Sequence, residues 1–197
     1  MIEDCTGIIL AGGDSQRMGS DKADLMLEGR SLLQRVTATM RLVFPKAMLS
    51  VRQLRPEIEL PQVCDDPSCA GPLAGLLSGL ARIDTPWAFA VACDMPYVVP
   101  AMIELLSQRR AGCQAVVPVV QGHPQPLAAF YARSCLDVIR THLASGGKNS
   151  LRAVLEKLDV CYVDEAEILA ADPGLRSFFD LDTPQDVARA KSEQGIR

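Results

Sequence analysis

The chain has 197 residues, of which 48% are hydrophobic and 22% charged, so it carries enough apolar surface for a packed core. Its net charge of −4 argues against a nucleic-acid or anionic-membrane surface, which would require a basic field. An aromatic fraction of 5% also argues against base stacking along single strands. The length predicts a single domain over residues 1–197. The net charge and the low aromatic fraction predict that neither nucleic acid nor a membrane is among its partners.

The cysteines and the chain start indicate the compartment. The seven cysteines are scattered and form no C-x-x-C pair, which argues against zinc and is typical of buried thiols in a reducing compartment. The acidic start lacks the basic region of a signal peptide, and no apolar run approaches the roughly 20 residues of a membrane span. The sequence therefore predicts a cytoplasmic protein.

Strand and helix patterns alternate along the chain. Apolar runs bounded by turn residues predict strands at 5–11, 47–52, 62–66, 87–94, 114–120, 126–131 and 160–164. Apolar spacing predicts helices capped by Ser31 and at 71–83, 101–110, 134–144 and 150–158, then a short strand from Phe178 and a terminal helix capped by Thr183. This alternation predicts an α/β fold, a three-layer sandwich with helices on both faces of a mostly parallel, mixed central sheet.

A glycine-rich loop follows the first predicted strand, where α/β sheets bind ligands. Gly12 and Gly13 let backbone N–H groups approach an oxyanion, and Arg17 and Lys22 supply positive charge further along. The loop matches neither the Walker A order nor the G-x-G-x-x-G fingerprint. These residues alone leave a triphosphate-binding loop and an ordinary strand-to-helix turn equally open.

Carboxylates follow two other predicted strands. Asp94 ends the most apolar strand, and Pro96 redirects the backbone beyond it. Such a carboxylate suits Mg²⁺, which takes one or two protein carboxylates and completes its shell with water and phosphate oxygens; a turn cap is the alternative. Asp65 and Asp66 follow another strand, and since neighbouring strand residues face opposite sides, one of the two is expected at the site.

The segment "LAGGDSQRMGSDKADLMLEGRSLL" (10–33) resembles the signature loop of the molybdenum cofactor guanylyltransferases, in the nucleotidyltransferase superfamily. "CDD" with "GPLAGLLSGL" (64–80), "ACDMPYVVP" (92–100) and "DLDTPQDVARAK" (180–191) follow in family order, so the resemblance covers nearly the whole chain. It implies a Rossmann-like nucleotidyltransferase fold. It also implies transfer of GMP from GTP to the phosphate of molybdopterin, or of its molybdenum-loaded form, with release of pyrophosphate.

The resemblance implies site residues as well. Arg17 and Lys22 would act on the triphosphate, and Asp94 would hold Mg²⁺. The implied GTP contacts are Leu10, Ala11, Gly12, Gly13, Lys22, Arg52, Asp66 and Asp94. The N-terminal part would bind GTP and Mg²⁺ and the C-terminal part the pterin substrate, with transient cofactor-delivery proteins as further candidate partners.

Some positions depart from the family pattern. Arg52 stands where the family often has asparagine, which leaves base recognition open because arginine only donates hydrogen bonds. Asp180 and Asp182 replace asparagines, and a second metal contact by Asp182 and helix capping stay equally open. Loops at 122–127 and 146–151 offer His123, Lys148 and Asn149 as candidate contacts of the pterin substrate.

The rival functions are a cytidylyltransferase, a sugar-phosphate nucleotidyltransferase, a glycosyltransferase using Asp180-Leu181-Asp182 as a D-x-D motif, and a nucleotide-binding sensor. Gly12 argues against cytidylyltransferases, which usually carry L-A-A-G at this loop. A D-x-D motif usually follows the nucleotide-binding half rather than the last strand. The presence of both Lys22 and Asp94 argues against a sensor.

Overall fold

A computed structural model describes residues 1–12, 22–67 and 69–181. Its strands are β1 (Cys5–Leu10), β2 (Met26–Leu27), β3 (Arg30–Ser31), β4 (Lys46–Val51), β5 (Gln62–Cys64), β6 (Trp87–Ala92), β7 (Ala115–Val120), β8 (His123–Pro124), β9 (Ala128–Ala132) and β10 (Val160–Val163). Its α-helices are α1 (Leu32–Val43), α2 (Pro72–Arg82), α3 (Pro100–Ser107), α4 (Cys135–Ala144), α5 (Leu151–Leu155) and α6 (Glu165–Ala171). Two 3₁₀ turns, Lys22–Asp24 and Arg176–Phe178, complete the described elements.

The main sheet has the order β10-β7-β9-β6-β1-β4-β5, with β8 beside β7. β9 runs antiparallel to both β6 and β7, β8 runs antiparallel to β7, and the remaining pairs are parallel. Leu10 lies opposite both Ser50 and Ala92, and Val51 lies opposite Cys64. The carboxyl ends of β6, β1, β4 and β5 therefore finish at one level, which we call the carboxyl edge.

Helices cover both faces of the sheet, so the predicted three-layer arrangement is confirmed. Ile9 packs in the cluster that contains the buried residues of α1 and α3, and its neighbour Ile8 packs in the cluster beneath α2 and α4. Both side chains are fully buried, which stabilises the fold by about 1.5–3 kcal/mol each. Gly79 allows close packing of α2, because a Cβ there would lie 2.7 Å from Cδ1 of Ile8.

Helix α1 begins where the sequence predicts. The Ser31 hydroxyl accepts from the backbone N–H of Gln34 at 3.1 Å, and the Gln34 side-chain oxygen accepts from the Ser31 N–H at 2.9 Å. This reciprocal capping box satisfies two backbone donors at the helix start. The β2–β3 ribbon before it was not predicted, because two-residue strands are too short to show a period.

The sequence prediction is wrong at several places after residue 150. The strand predicted from Phe178 is absent over the described residues: Phe178 ends a 3₁₀ turn, and Phe179–Leu181 belongs to no strand. Helix α5 ends at Leu155 rather than at residue 158, and α6 was not predicted. The expected terminal helix from Thr183 lies outside the described residues. Within the described part, none of the helices combines the length and apolarity needed to span a bilayer.

Candidate active site

The carboxyl edge gathers the residues that follow four neighbouring strands. The ladder continues one residue past each strand end: Ala11 donates to the Ser50 carbonyl at 2.9 Å, Asp65 to Val51 at 2.8 Å, and Cys93 to Leu10 at 3.1 Å. The backbone is therefore fixed where the polar side chains begin. Because Leu10 and Ala92 are paired on adjacent strands, Gly12 and Asp94 each lie two residues beyond the same level of the sheet.

The Asp65 carboxylate lies in a space left by small residues. A Cβ on Gly12 would lie 1.7 Å from Oδ2 of Asp65, and a Cβ on Gly75 would lie 3.4 Å from Oδ1. The buried Ser50 hydroxyl donates to Oδ1 at 2.5 Å. We call Gly12, Ser50 and Gly75 the Asp65 cradle. At this cradle the Asp65 carboxylate, which follows β5, meets the chain after β1 at Gly12, β4 at Ser50 and the first turns of α2 at Gly75.

Electrostatics at the Asp65 cradle are dominated by burial. Burial raises the pKa of the Asp65 carboxyl, while the Ser50 hydrogen bond and the positive charge of Arg52 act to lower it. The net shift is upward, so desolvation outweighs the Ser50 and Arg52 contributions. Arg52 itself is exposed, so solvent screens its effect on the carboxylate.

The two adjacent aspartates have different surroundings. Asp65 contacts the start of the glycine loop, although the resemblance assigned the nucleotide contact to Asp66. Asp66 is half-buried and lines a cavity of about 680 Å³ together with Asp65, Arg140 and Leu143. Asp65 lies beside Ser50 because β4 pairs with β5, and this pairing determines where the residue after Cys64 is placed.

A second cavity of about 360 Å³ opens beside the loop start. It is lined by Ala11, Gly12, Val51, Arg52, Gln53, Leu54, Arg55 and Glu57. Gly12 lines this cavity and Asp65 lines the larger one, so the two adjoin at the Gly12–Asp65 contact. Cys64, exposed at the end of β5, also lines the larger cavity.

Asp94 lies after β6 and is half-buried. Its carbonyl oxygen accepts from the Leu181 N–H at 3.0 Å, and the Leu181 side chain is fully buried in a cluster with Leu27 and Leu32. Leu181 is thereby fixed against the carboxyl edge. Asp180 is exposed beside this contact.

The loop before β9 reaches the same edge as Asp94. Leu127 accepts from the Ala92 N–H at 3.1 Å, and the buried Tyr131 hydroxyl donates to the Pro126 carbonyl at 2.8 Å. His123, the first residue of β8, is exposed in this segment. The structure therefore brings the predicted 122–127 loop to the carboxyl edge.

Lys148 and Asn149 are exposed beyond the end of α4. The last turn of α4 contributes Leu143 and Ala144 to the larger cavity, and His142 Nε2 lies 2.9 Å from the Lys148 carbonyl oxygen. The 146–151 loop therefore follows directly after a helix end that lines the larger cavity.

Several predicted site residues lie outside the described part of the chain. They are Gly13, Arg17 and Asp182, together with the side chain of Lys22. Across the residues that are described, no group of three or more His, Cys, Asp or Glu side chains forms a metal-binding cluster. A single carboxylate such as Asp94 still fits Mg²⁺, which requires only one or two protein carboxylates beside phosphate oxygens and water.

Comparisons with known proteins agree with the motifs. Residues 7–161 match the family model described as the MobA-like NTP transferase domain. The molybdenum cofactor guanylyltransferase of Desulfosudis oleivorans is 34% identical over 191 residues, covering 95% of this chain and 94% of the relative. A probable molybdenum cofactor guanylyltransferase of Chloroflexus aggregans is 34% identical over 200 residues, covering 96% and 95%.

A solved structure also matches. The crystal structure of molybdopterin-guanine dinucleotide biosynthesis protein A from Archaeoglobus fulgidus superposes with a TM-score of 0.84 at 28% identity, covering 98% of this chain and 100% of that one. The expected nucleotidyltransferase fold is therefore confirmed. The chain belongs to the molybdenum cofactor guanylyltransferase family.

Proposed function

We propose that the protein transfers GMP from GTP to the terminal phosphate of molybdopterin or its molybdenum-loaded form, releasing pyrophosphate and forming a guanine dinucleotide cofactor. The observation that carries the proposal is the near-full-length similarity to named guanylyltransferases. The geometry supports it, because Gly12 and Asp94 each follow one of two adjacent parallel strands by two residues, at one level of the carboxyl edge.

The chemistry is an in-line displacement at the α-phosphorus of GTP. A phosphate monoester is already anionic near neutral pH, so its oxygen attacks without a strong general base. The P–O bond to pyrophosphate breaks as the new P–O bond forms, and pyrophosphate leaves with the electron pair. Catalysis then depends on positioning and charge neutralisation.

The glycine loop and Asp94 act on the phosphates in this proposal. Backbone N–H groups of Gly12 and Gly13 set the position of the triphosphate, and Arg17 and Lys22 carry positive charge to it. Asp94 holds Mg²⁺, with Asp182 as a second candidate ligand. When bound, Mg²⁺ neutralises charge that develops on the phosphate oxygens.

The nucleoside lies against the start of the loop. Leu10 and Ala11 supply backbone groups, Asp66 lines the adjoining cavity, and Asp65 adds a carboxylate at Gly12. The guanine ring carries two adjacent donors, N1–H and the 2-amino group, which match a carboxylate acceptor. Arg52 lines the smaller cavity and contacts the nucleotide from that side.

The acceptor substrate binds at the C-terminal part of the same edge. This assignment is supported by the 122–127 loop, which is tied to β6 next to Asp94. His123, Lys148 and Asn149 are exposed and of the types that bind a phosphate. Residues 1–197 then act as one catalytic domain, and transient cofactor-delivery proteins are partners for the labile substrate.

A label-transfer assay tests the proposal. The protein is incubated with Mg²⁺, molybdopterin and each α-labelled nucleoside triphosphate in turn, and label transfer and pyrophosphate release are measured. GMP transfer is expected. Transfer of CMP instead would overturn the base assignment, and turnover of sugar nucleotides without triphosphates would overturn the reaction. Glu104→Gln, an exposed change on α3, is the matched control and should retain full turnover.

A further inference from the structure

Arg55 forms an ion-pair network at the wall of the smaller cavity. Its Nη2 donates to Asp24 Oδ1, and its Nε donates to Glu57 Oε1 at 2.9 Å. The Arg55 side chain is only 15% exposed, whereas that of Asp24 is 58% exposed. A guanidinium presents both donors in one rigid fork, so a single side chain holds two carboxylates in fixed relative positions.

The backbone of Arg55 is fixed independently of its side chain. Arg55 N–H donates to the Gln62 side-chain oxygen at 2.8 Å, and the Gln62 amide donates back to the Arg55 carbonyl at 2.7 Å. Gln62 is the first residue of β5, so the central sheet holds this part of the β4–β5 connection. The Arg55 guanidinium therefore extends from a backbone position that β5 holds in place.

Asp24 ends the three-residue 3₁₀ turn that begins at Lys22. So short a turn has little internal hydrogen bonding to fix its position, so its flanking contacts decide where it lies. Ala23 is fully buried in the core cluster that includes α1, and the Leu25 carbonyl accepts from the Leu32 N–H at 3.0 Å. Asp24 adds the contact with Arg55.

Both ends of the glycine loop are thus tied to β4 and the connection that follows it. At the loop start, Ala11 donates to the Ser50 carbonyl of β4. At the loop end, Asp24 pairs with Arg55, four residues beyond the end of β4. Ala11 and Asp24, which lie on either side of residues 13–21 in the sequence, therefore both contact the stretch from Ser50 to Arg55.

We propose that the Asp24–Arg55 ion pair positions Lys22 for the triphosphate, with Arg55 acting as a positioning residue through Asp24. The inference rests on the proposed function and extends it to two residues that are not among the predicted site residues: Asp24, within the signature segment, and Arg55, outside it. Without the pair, buried Ala23 still holds the turn, and nucleotide binding must supply the ordering that the pair otherwise contributes. That ordering cost falls on GTP binding and not on binding of the acceptor substrate.

The first test removes the pair from its exposed side. Asp24→Ala should raise the KM for GTP by about tenfold, with kcat and the KM for molybdopterin each changed less than about twofold. Asp24→Glu, which keeps the charge, should restore the KM for GTP to within about threefold of wild type. An unchanged KM for GTP in Asp24→Ala would overturn the proposal.

A matched ion pair between the β2–β3 turn and α1 controls for general loss of charge. Glu28 Oε2 lies 2.6 Å from Arg35 Nη2, and the two side chains are 49% and 21% exposed, close to the values for the proposed pair. Glu28→Gln should leave the KM for GTP unchanged. An equal rise in both variants would assign the effect to the ribbon and overturn the positioning role.

A double-mutant cycle tests whether the pair acts through Lys22. In a Lys22→Ala background, Asp24→Ala should cause no further loss of GTP affinity, because the group being positioned is already absent. Additive losses would overturn the proposal. Affinity is measured by equilibrium dialysis with GTP and Mg²⁺, and thermal unfolding verifies that each variant is folded.

The dialysis measurement also separates the two proposals. If the wild type binds GTP with the predicted coupling yet transfers no GMP, the proposed function fails and the positioning role stands. If GMP is transferred and the cycle is additive, the reverse holds. Should Asp24→Ala not fold, Arg55→Lys replaces it, since an ammonium lacks the fork and should give the same rise in KM.

Discussion

Gly12→Ala should destabilise the protein because the added methyl group would displace the Asp65 side chain. The added Cβ would lie 1.7 Å from Oδ2 of Asp65 and 2.8 Å from its Cγ, so the carboxylate must leave the Asp65 cradle. Leaving breaks the 2.5 Å hydrogen bond from Ser50, whose side chain is fully buried. The substitution therefore combines steric strain with loss of a buried donor's partner.

The expected magnitude follows from those two effects. Overpacking at a rigid site costs about 1–3 kcal/mol, and an unsatisfied buried hydroxyl costs about 1–3 kcal/mol. Part of the second cost is recovered by solvation of the released carboxylate, so we expect a loss of about 2–4 kcal/mol. The three atoms closest to the added Cβ all belong to the Asp65 carboxylate. Gly12→Ala should therefore cost almost nothing further in an Asp65→Ala background.

Equilibrium urea unfolding of the two single variants and the double variant measures this coupling. Since Gly12→Ala should cost almost nothing once Asp65 is removed, we expect a coupling free energy of about 2–4 kcal/mol that favours the double variant. Gly174→Ala is the control, because its Cβ would meet only the flexible Arg176 side chain at 3.2 Å. Additive effects of the Gly12 and Asp65 changes would refute the steric argument.

Four further measurements test other parts of the structure. Asp94→Asn should lower GMP transfer by about 100-fold or more with unchanged thermal unfolding, and turnover within threefold of wild type would remove Asp94 from the metal role. Because burial raises the pKa of Asp65, the stability of wild type relative to Asp65→Asn should be greatest below the carboxyl's ordinary pKa and decline as pH rises through the raised value. Urea titrations at acidic and neutral pH measure this difference, and a difference independent of pH would contradict it. Ser31→Ala should lower the free energy of unfolding by about 1 kcal/mol through loss of the capping box; a neutral result would show that solvent replaces it. Leu181→Ala should cost about 2–4 kcal/mol in the same unfolding assay, since its side chain is fully buried, and a loss under 1 kcal/mol would argue against that packing.

Long apolar segments allowed most of the fold to be predicted from the sequence. The strand from Cys5 to Leu10 is buried along its whole length, and its run of apolar residues shows that directly. The region from Phe178 was mispredicted because its apolar residues act as separate anchors rather than as an alternating strand. Leu181 is held by one backbone hydrogen bond to Asp94 and by packing, and neither interaction has a sequence period.

The sequence allowed us to predict which strand end each candidate residue follows, but not which side chains contact one another. Asp94 and Gly12 were placed correctly at the carboxyl edge, because parallel strands end at one side of a sheet. The choice between Asp65 and Asp66 depends on the register of β4 with β5, which the sequence does not encode locally. Arg55 was missed for a similar reason, since its partner Asp24 is 31 residues away in the chain.

Cys64 is a native cysteine at the candidate site that can be labelled selectively over the buried cysteines. It is the exposed cysteine of the chain, whereas Cys5, Cys93 and Cys135 are buried, and burial raises the pKa of the Cys135 thiol to about 12. Thiolate-directed reagents should therefore label Cys64 ahead of these three. A fluorophore at this position would adjoin the Asp65 carboxylate in the wall of the larger cavity. Ligand occupancy of that cavity then becomes a spectroscopic signal, obtained without introducing a new cysteine.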